Sequence, residues 1–171
     1  DTHGVGTLDA IIFRYAEVLL IRAEAGAELG KDPELDLTVN ALRKRVGFNV
    51  KLTSSPATDS KLVAKHPIIK GTNADLIREI RRERRVELFG EGLRYADLMR
   101  WGCGERLVAP KAGMMLYTDV YTPEEIAVLK TEVGTYADGS LDVYGKRVTT
   151  PAIFESPKHY LFSLPLNEMA L

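Results

Sequence analysis

The sequence has few of the residues that most often carry chemistry. Cys103 is its one cysteine, and there are three histidines among 171 residues. A single thiol excludes an internal disulfide and a cysteine-built metal cage. Cys103 therefore reads as a small buried apolar residue rather than a nucleophile. His66 stands beside Pro67 with no Cys, His or carboxylate at ligand spacing, and reads as a surface residue. No apolar run approaches the roughly 18–20 residues of a membrane-spanning helix. An excess of charge is also missing: the formal net charge is −1. No basic field is present to hold nucleic acid or an anionic bilayer. No metal, cofactor or nucleic-acid partner is expected.

What is present suits a soluble globular chain. Hydrophobic residues make up 45% and charged residues 27%, enough of each for a core and a solvated surface. The expected organisation is a single domain or fragment over 1–171, with a helical core at about 9–102 and a loop-rich region at about 103–171. The chain starts at Asp1 without an initiating Met or signal peptide and stops after a Pro-containing apolar segment. It is expected to be a piece of a longer protein.

The apolar period predicts a first helix from about Asp9 to Leu29, with Ile12, Ala16, Leu19, Leu20, Ala23 and Ala27 inward. Glu17, Glu24 and Glu28 share a polar wedge opposite, and Gly30 ends the helix. Asp32-Pro33-Glu34 is a restart signal for a second helix to about Val46, with Leu35, Val39, Leu42 and Val46 inward. The short connection forces an antiparallel pair. Residues 48–71 show no sustained period and read as a long loop.

Thr72 to Gly102 is the densest run of charge. Thr72-Asn73-Ala74-Asp75 resembles a capping box, and Leu76, Ile77, Ile80 and Leu88 share a face. Arg78, Arg82 and Arg85 point outward, whereas Glu83, Arg84 and Glu87 fall within the apolar stripe. Charges there must be paired: Arg84 and Glu87 are spaced to meet each other, and Arg22, Arg94 and Arg100 are other candidate partners. Gly90-Glu91-Gly92 breaks the helix. A short helix follows to Trp101, with Asp97 and Arg100 as an i,i+3 pair. A metal or acid–base role for Glu83, Glu87, Glu91 and Asp97 is the rival reading. The stretch contains seven arginines and lacks the Glu-x-x-His of helical di-metal sites, so structural pairing is expected.

Beyond Gly104 the sequence is rich in turns. Thr122-Pro123-Glu124-Glu125 opens a short helix to about Val133, and residues 135–150 contain turn signals for one small hairpin. Tyr117, Tyr121, Tyr136 and Tyr144 fall in this part. Aromatic side chains on loops can stack on sugar rings, and more often anchor loops to the core. The expected fold class is mainly α: antiparallel helix pairs followed by a loop-rich C-terminal part.

Several long segments now carry a resemblance. Glu83-Arg84-Arg85-Val86-Glu87-Leu88-Phe89, followed by Glu91-Gly92-Leu93-Arg94-Tyr95-Ala96-Asp97-Leu98-Met99-Arg100-Trp101-Gly102, resembles the signature of the SusD/RagB family. Phe13 to Ala25 is similar to that family's preceding helix, and Leu42-Arg43-Lys44-Arg45-Val46-Gly47 to the end of its next one. His159-Tyr160-Leu161-Phe162-Ser163-Leu164-Pro165-Leu166-Asn167-Glu168 is similar to its C-terminal segment. Order and spacing agree along the whole chain.

The resemblance implies tetratricopeptide-like helix pairs and a binding protein, not an enzyme. It implies a lipid anchor in an N-terminal part not included here, and a place on the outer face of the bacterial outer membrane. Membrane contact would be through that anchor alone. The implied partner is a SusC-like TonB-dependent transporter, to which a captured glycan or other nutrient is passed. The family's ligand contacts lie in variable loops outside the shared motifs, so none is carried over residue by residue. Tyr117, Tyr121, Tyr136 and Tyr144 remain the candidates from the residues themselves. A helical scaffold for protein or peptide partners is the alternative.

Overall fold

The computed structural model describes residues 12–108, 113–142 and 152–161. They are mainly α-helical: α1 (Tyr15–Glu28), α2 (Val39–Arg45), α3 (Ser60–Lys65), α4 (Ala74–Glu87), α5 (Arg94–Arg100) and α6 (Pro123–Glu132). Two single 3-10 turns add Gly104–Leu107 and Lys158–Tyr160. The chain forms two compact units, Asp1–Arg100 and Trp101–Leu171.

The first unit is built on α1 and α4, with α2 against α1 and α3 against α4. Cross-helix contacts fix the direction of the central pair. Arg14 meets Glu87, Glu17 meets Arg84, Glu24 meets Arg81, and the Ala27 carbonyl accepts from Asn73 Nδ2. As one number rises the other falls, so α1 and α4 are antiparallel. Between them lie Leu20, Ala23, Ile77 and Ile80, joined by Val39 and Leu42 of α2. Leu20 and Ile80 are fully buried, each contributing about 1.5–3 kcal/mol.

Several details differ from the sequence reading, each for a local reason. Described helix begins at Tyr15, and Ile12 is exposed rather than inward. The second helix begins at Val39, not near Asp32. Asp32 closes a tight turn by accepting from the Glu34 amide, and Glu34 has φ 49°, which a helix cannot continue through. Leu35 packs on the core as expected, but Val46, one residue past α2, is exposed. The 48–71 segment contains α3, capped by Asp59 accepting from the Lys61 and Leu62 amides. His66, at the end of α3, is buried rather than on the surface.

The start of α4 is not a capping box. The Asn73 side chain donates across to α1 instead of capping its own helix. Arg78 is buried, donating to Asp75 at 2.7 Å and to the Ile69 carbonyl at 2.5 Å, whereas Arg82 and Arg85 are exposed. Gly90 and Gly92 both have positive φ, 82° and 79°. This left-handed backbone ends α4 and turns the chain into α5.

In the second unit, Ser140–Asp142 is the centre of a small patch of isolated antiparallel bridges. Met115 bridges Ser140 on one side and Thr135 bridges Leu141 on the other. The turn at 136–139 closes with Gly139 N–H donating to the Tyr136 carbonyl at 3.0 Å, so a hairpin is present at 134–142. α6 has the full capping box read from the sequence, with Thr122 and Glu125 bonding reciprocally and Pro123 at the first position. Residues 152–161 sit on the 3-10 turn at Gly104. A Cβ there would lie 2.0 Å from Phe154 Cζ, and Gly104 N–H donates to the Tyr160 hydroxyl at 2.8 Å.

Candidate functional site

The candidate ligand residues belong to the second unit. A turn begins at Tyr117 and ends at Tyr121: the Tyr117 carbonyl accepts from the Val120 amide at 3.1 Å and the Tyr121 amide at 3.0 Å. Tyr117 is 59% exposed, so its ring is not an anchor for the loop. Tyr121 is half-buried, and its hydroxyl donates to Met114 Sδ at 3.4 Å. It stands one helical turn ahead of the first face of α6. Glu124 and Val128, and Glu125 and Leu129, are i,i+4 pairs on that face. Together with Tyr121 they line an open groove of about 450 Å³.

The chemistry of this groove is mixed. Val128, Leu129 and the Tyr121 ring supply apolar surface. The Glu125 carboxylate is committed to the cap, accepting from the Thr122 amide at 2.9 Å. Glu124 is exposed and makes no such bond, which leaves it as an acceptor toward the groove. An aromatic wall beside a free carboxylate matches the faces of a sugar ring, with C–H groups for stacking and hydroxyls for donation.

Tyr136 lies on the hairpin. Its hydroxyl is hydrogen-bonded to the Asp142 carboxylate, which holds the phenol pKa above its ordinary value and keeps it protonated. The structure thus gathers Tyr117 and Tyr121 on one turn. It links Tyr136 to them through the patch on which the Met114 carbonyl accepts from the Leu141 amide at 3.1 Å. None of these three rings stacks on another. Tyr144 lies outside the described residues. Asp142 was not singled out by sequence reading; its signal is only its position across the Asp138-Gly139 turn from Tyr136.

The carboxylates of α4 and α5 have other work. Arg84 Nε donates to both oxygens of Asp97 at 2.9 Å, and Arg100 Nε reaches Asp97 at 3.0 Å. Glu87 accepts from Arg14 and Arg45, each at 2.6 Å. Glu83 accepts from Arg43 at 2.7 Å. The Arg84–Glu87 pair expected from spacing does not form, because both side chains find partners on other elements. Glu24, placed on a solvent wedge by the helical wheel, is buried and bonded to Arg81 and Arg100. Among the described residues no cluster of three or more His, Cys, Asp or Glu is placed to hold a metal. This constellation is an ion-pair frame for the α1–α4 interface, and Glu83, Glu87, Glu91 and Asp97 are each bound to arginine, as the pairing reading expects.

Residues 1–170 match the family model described as the SusD family. The chain belongs to the SusD family. A solved structure of a SusD-like carbohydrate binding protein from Bacteroides fragilis NCTC 9343 is 30% identical and overlays 93% of the chain with a TM-score of 0.60. A curated SusD-like protein of Formosa agariphila is 31% identical over 105 residues, 61% of the chain. The chain spans 27% of the first relative's chain and 19% of the second's length. The SusD signature read along α4 and α5 therefore coincides with the ion-pair frame, while the tyrosines of the candidate site lie outside it.

Proposed function

We propose that this chain is part of a non-catalytic, cell-surface nutrient-binding protein that captures glycans for a SusC-like TonB-dependent transporter. The observation that carries the reading is the match to the SusD family over residues 1–170, together with the overlay on a relative described as a carbohydrate binding protein. In that role the protein is held at the outer face of the outer membrane by a lipid anchor outside this chain. No helix among the described residues is long and apolar enough to cross a membrane.

The glycan site is assigned to Tyr117, Tyr121 and Tyr136, with Tyr144 a fourth candidate from sequence. The exposed Tyr117 ring and the Tyr121 groove offer stacking surfaces, and Glu124 accepts from sugar hydroxyls. Electrophoresis through gels containing soluble polysaccharides tests this. Tyr121→Ala is expected to weaken retardation about 2- to 10-fold, the worth of one aromatic contact. Unchanged retardation would remove Tyr121 from the site.

One observation favours the second reading, a peptide-binding scaffold. Tyr15, Val18 and Ile21 of α1, and Leu29 just past its end, are exposed apolar side chains on one side of the helix, with Arg22 among them. If a helical peptide docks there, Val18→Asp abolishes its binding and leaves glycan retardation unchanged.

A further inference from the structure

A second concave surface lies in the first unit. α2, Asp36 before it and the segment that follows it line an open groove of about 830 Å³. That volume is in the range of small-molecule sites. Phe48 lines it and is 53% exposed. The ring is not loose: the Arg43 guanidinium carbon lies 5.4 Å from its centroid in a cation–π contact. Arg43 is itself fixed, donating to Glu83 at 2.7 Å and to the Val50 carbonyl at 3.1 Å. The wall beyond is also tied down. Asn40 donates to the Leu52 carbonyl at 3.0 Å and accepts from the Leu52 amide at 2.7 Å. An aromatic ring is thus held half-exposed over a braced floor.

The polar lining is biased in sign. Arg43, Lys44, Arg45 and Lys51 line the groove against one carboxylate, Asp36. Arg43 is matched by Glu83, Arg45 by Glu87 at 2.6 Å, and Lys51 by Asp36 at 3.0 Å. Lys44 has no ion-pair partner among the described residues, and the Asn49 side-chain amide is also uncommitted. The Lys51–Asp36 pair is highly exposed, with 70% of each side chain accessible, so a ligand can exchange into it at little cost. The C-terminal dipole of α2 accounts for cations at Lys44 and Arg45. It does not account for Lys51 and Asn49 in the next segment, or for a clamped, half-exposed phenyl ring between them.

We propose that this groove is a saccharide subsite selective for an acidic sugar, one bearing a carboxylate or sulfate group. The Phe48 ring supports the sugar ring, while Lys44, Asn49 and Lys51 take its anionic group. This deepens the glycan-binding reading and rests on it. An acidic sugar is favoured over a neutral one because the groove presents donors and one unmatched positive charge. It is favoured over a free small anion because the aromatic ring contributes nothing to an ion without a ring to stack.

The test is calorimetry of the purified protein with an oligogalacturonate and with its methyl ester, which keeps the rings and removes the charge. The acid form is expected to bind about 3- to 10-fold tighter than the ester, and added salt should erase the difference. Lys44→Gln is expected to remove the preference with the melting curve unchanged. Phe48→Leu should weaken acid and ester alike, and Tyr121→Ala should leave the preference intact. Equal binding of acid and ester, or a preference that survives Lys44→Gln, overturns the proposal. If a neutral polysaccharide is retained through Tyr121 while the oligogalacturonate is not bound, this inference fails and the glycan-binding reading stands. If Phe48→Leu leaves acid binding unchanged, the ring takes no part, the groove is a plain anion site and the saccharide assignment falls.

Discussion

Arg84 illustrates how a residue can be correctly classed and wrongly paired from sequence. Its position inside the apolar stripe requires a partner. The partner is Asp97 on α5, thirteen residues on, not Glu87 one turn away. Both members of the Arg84–Asp97 pair are buried. Asp97→Ala leaves a guanidinium without its bidentate acceptor, and is expected to cost about 3–5 kcal/mol in urea denaturation. Glu87→Ala removes hydrogen bonds from Arg14 and Arg45 that lie nearer solvent, and is expected to cost less, about 1–3 kcal/mol. Equal costs would mean that the two sites share burden evenly and that Asp97 is not the keystone. Helical periodicity showed that Arg84 and Glu87 need partners, although it set Glu24 and Arg78 outside the core where the structure buries them; it could not identify the partners, because those on α1, α2 and α5 depend on tertiary packing.

Glu79 gives a pH signature of its own. Burial raises its carboxyl above the ordinary value, more than the attractions of Arg82 and Arg43 lower it. A carboxyl with a raised folded pKa binds more protons folded than unfolded. Its contribution is therefore fully present below the ordinary carboxylate range and is lost as pH rises through the folded value. Glu79→Gln is expected to match the wild type at about pH 4 and to exceed it in stability at about pH 7. Urea midpoints at the two pH values check this, and a deficit at neutral pH would contradict it. Glu91 behaves in the opposite sense. Its hydrogen bonds from Arg14 lower its pKa, so its contribution is present above the ordinary range and lost as pH falls through the folded value.

At the level of elements, two glycines separate backbone conformation from close approach. Gly90 has φ +82° and open space where a Cβ would go. Gly90→Ala should then cost only the left-handed penalty, about 1–2 kcal/mol. Gly26 lies within α1, where alanine is the better helix former. A Cβ there would lie 2.8 Å from Pro33 Cα and 2.9 Å from the Asp32 carbonyl oxygen. Both contacts are backbone, so Gly26→Ala is expected to destabilise by about 1–3 kcal/mol despite the gain in propensity. A stabilised Gly26→Ala would show that the 31–34 turn yields freely.

The cap of α6 was fully legible, because Thr122-Pro123-Glu124-Glu125 acts within four residues. The start of α2 was not, because Glu34 with positive φ has no local signature. α3 was missed because six residues are too few for a period to emerge, although Asp59 was there to cap it. Of the face read as inward on the first helix, Ile12 alone is exposed, because it lies before the first turn of α1.

At the scale of the molecule, the chain is a SusD-family segment whose most recognisable residues hold α1, α4 and α5 together. Those residues carry the family signature because the antiparallel pair depends on them, and for that reason they name the fold rather than the ligand. The proposed aromatic sugar contacts lie elsewhere, in segments without a repeating pattern: Tyr121 borders the groove along α6 and Phe48 is held by Arg43, whereas Lys44 belongs to α2. The proposed function is capture of glycans without chemical change. Calorimetry against a polysaccharide panel, followed by assay of the same samples for new reducing ends, tests it directly. The expected result is saturable heat with at least one polysaccharide and no new reducing ends. Silence across the panel, or release of reducing ends, would contradict it.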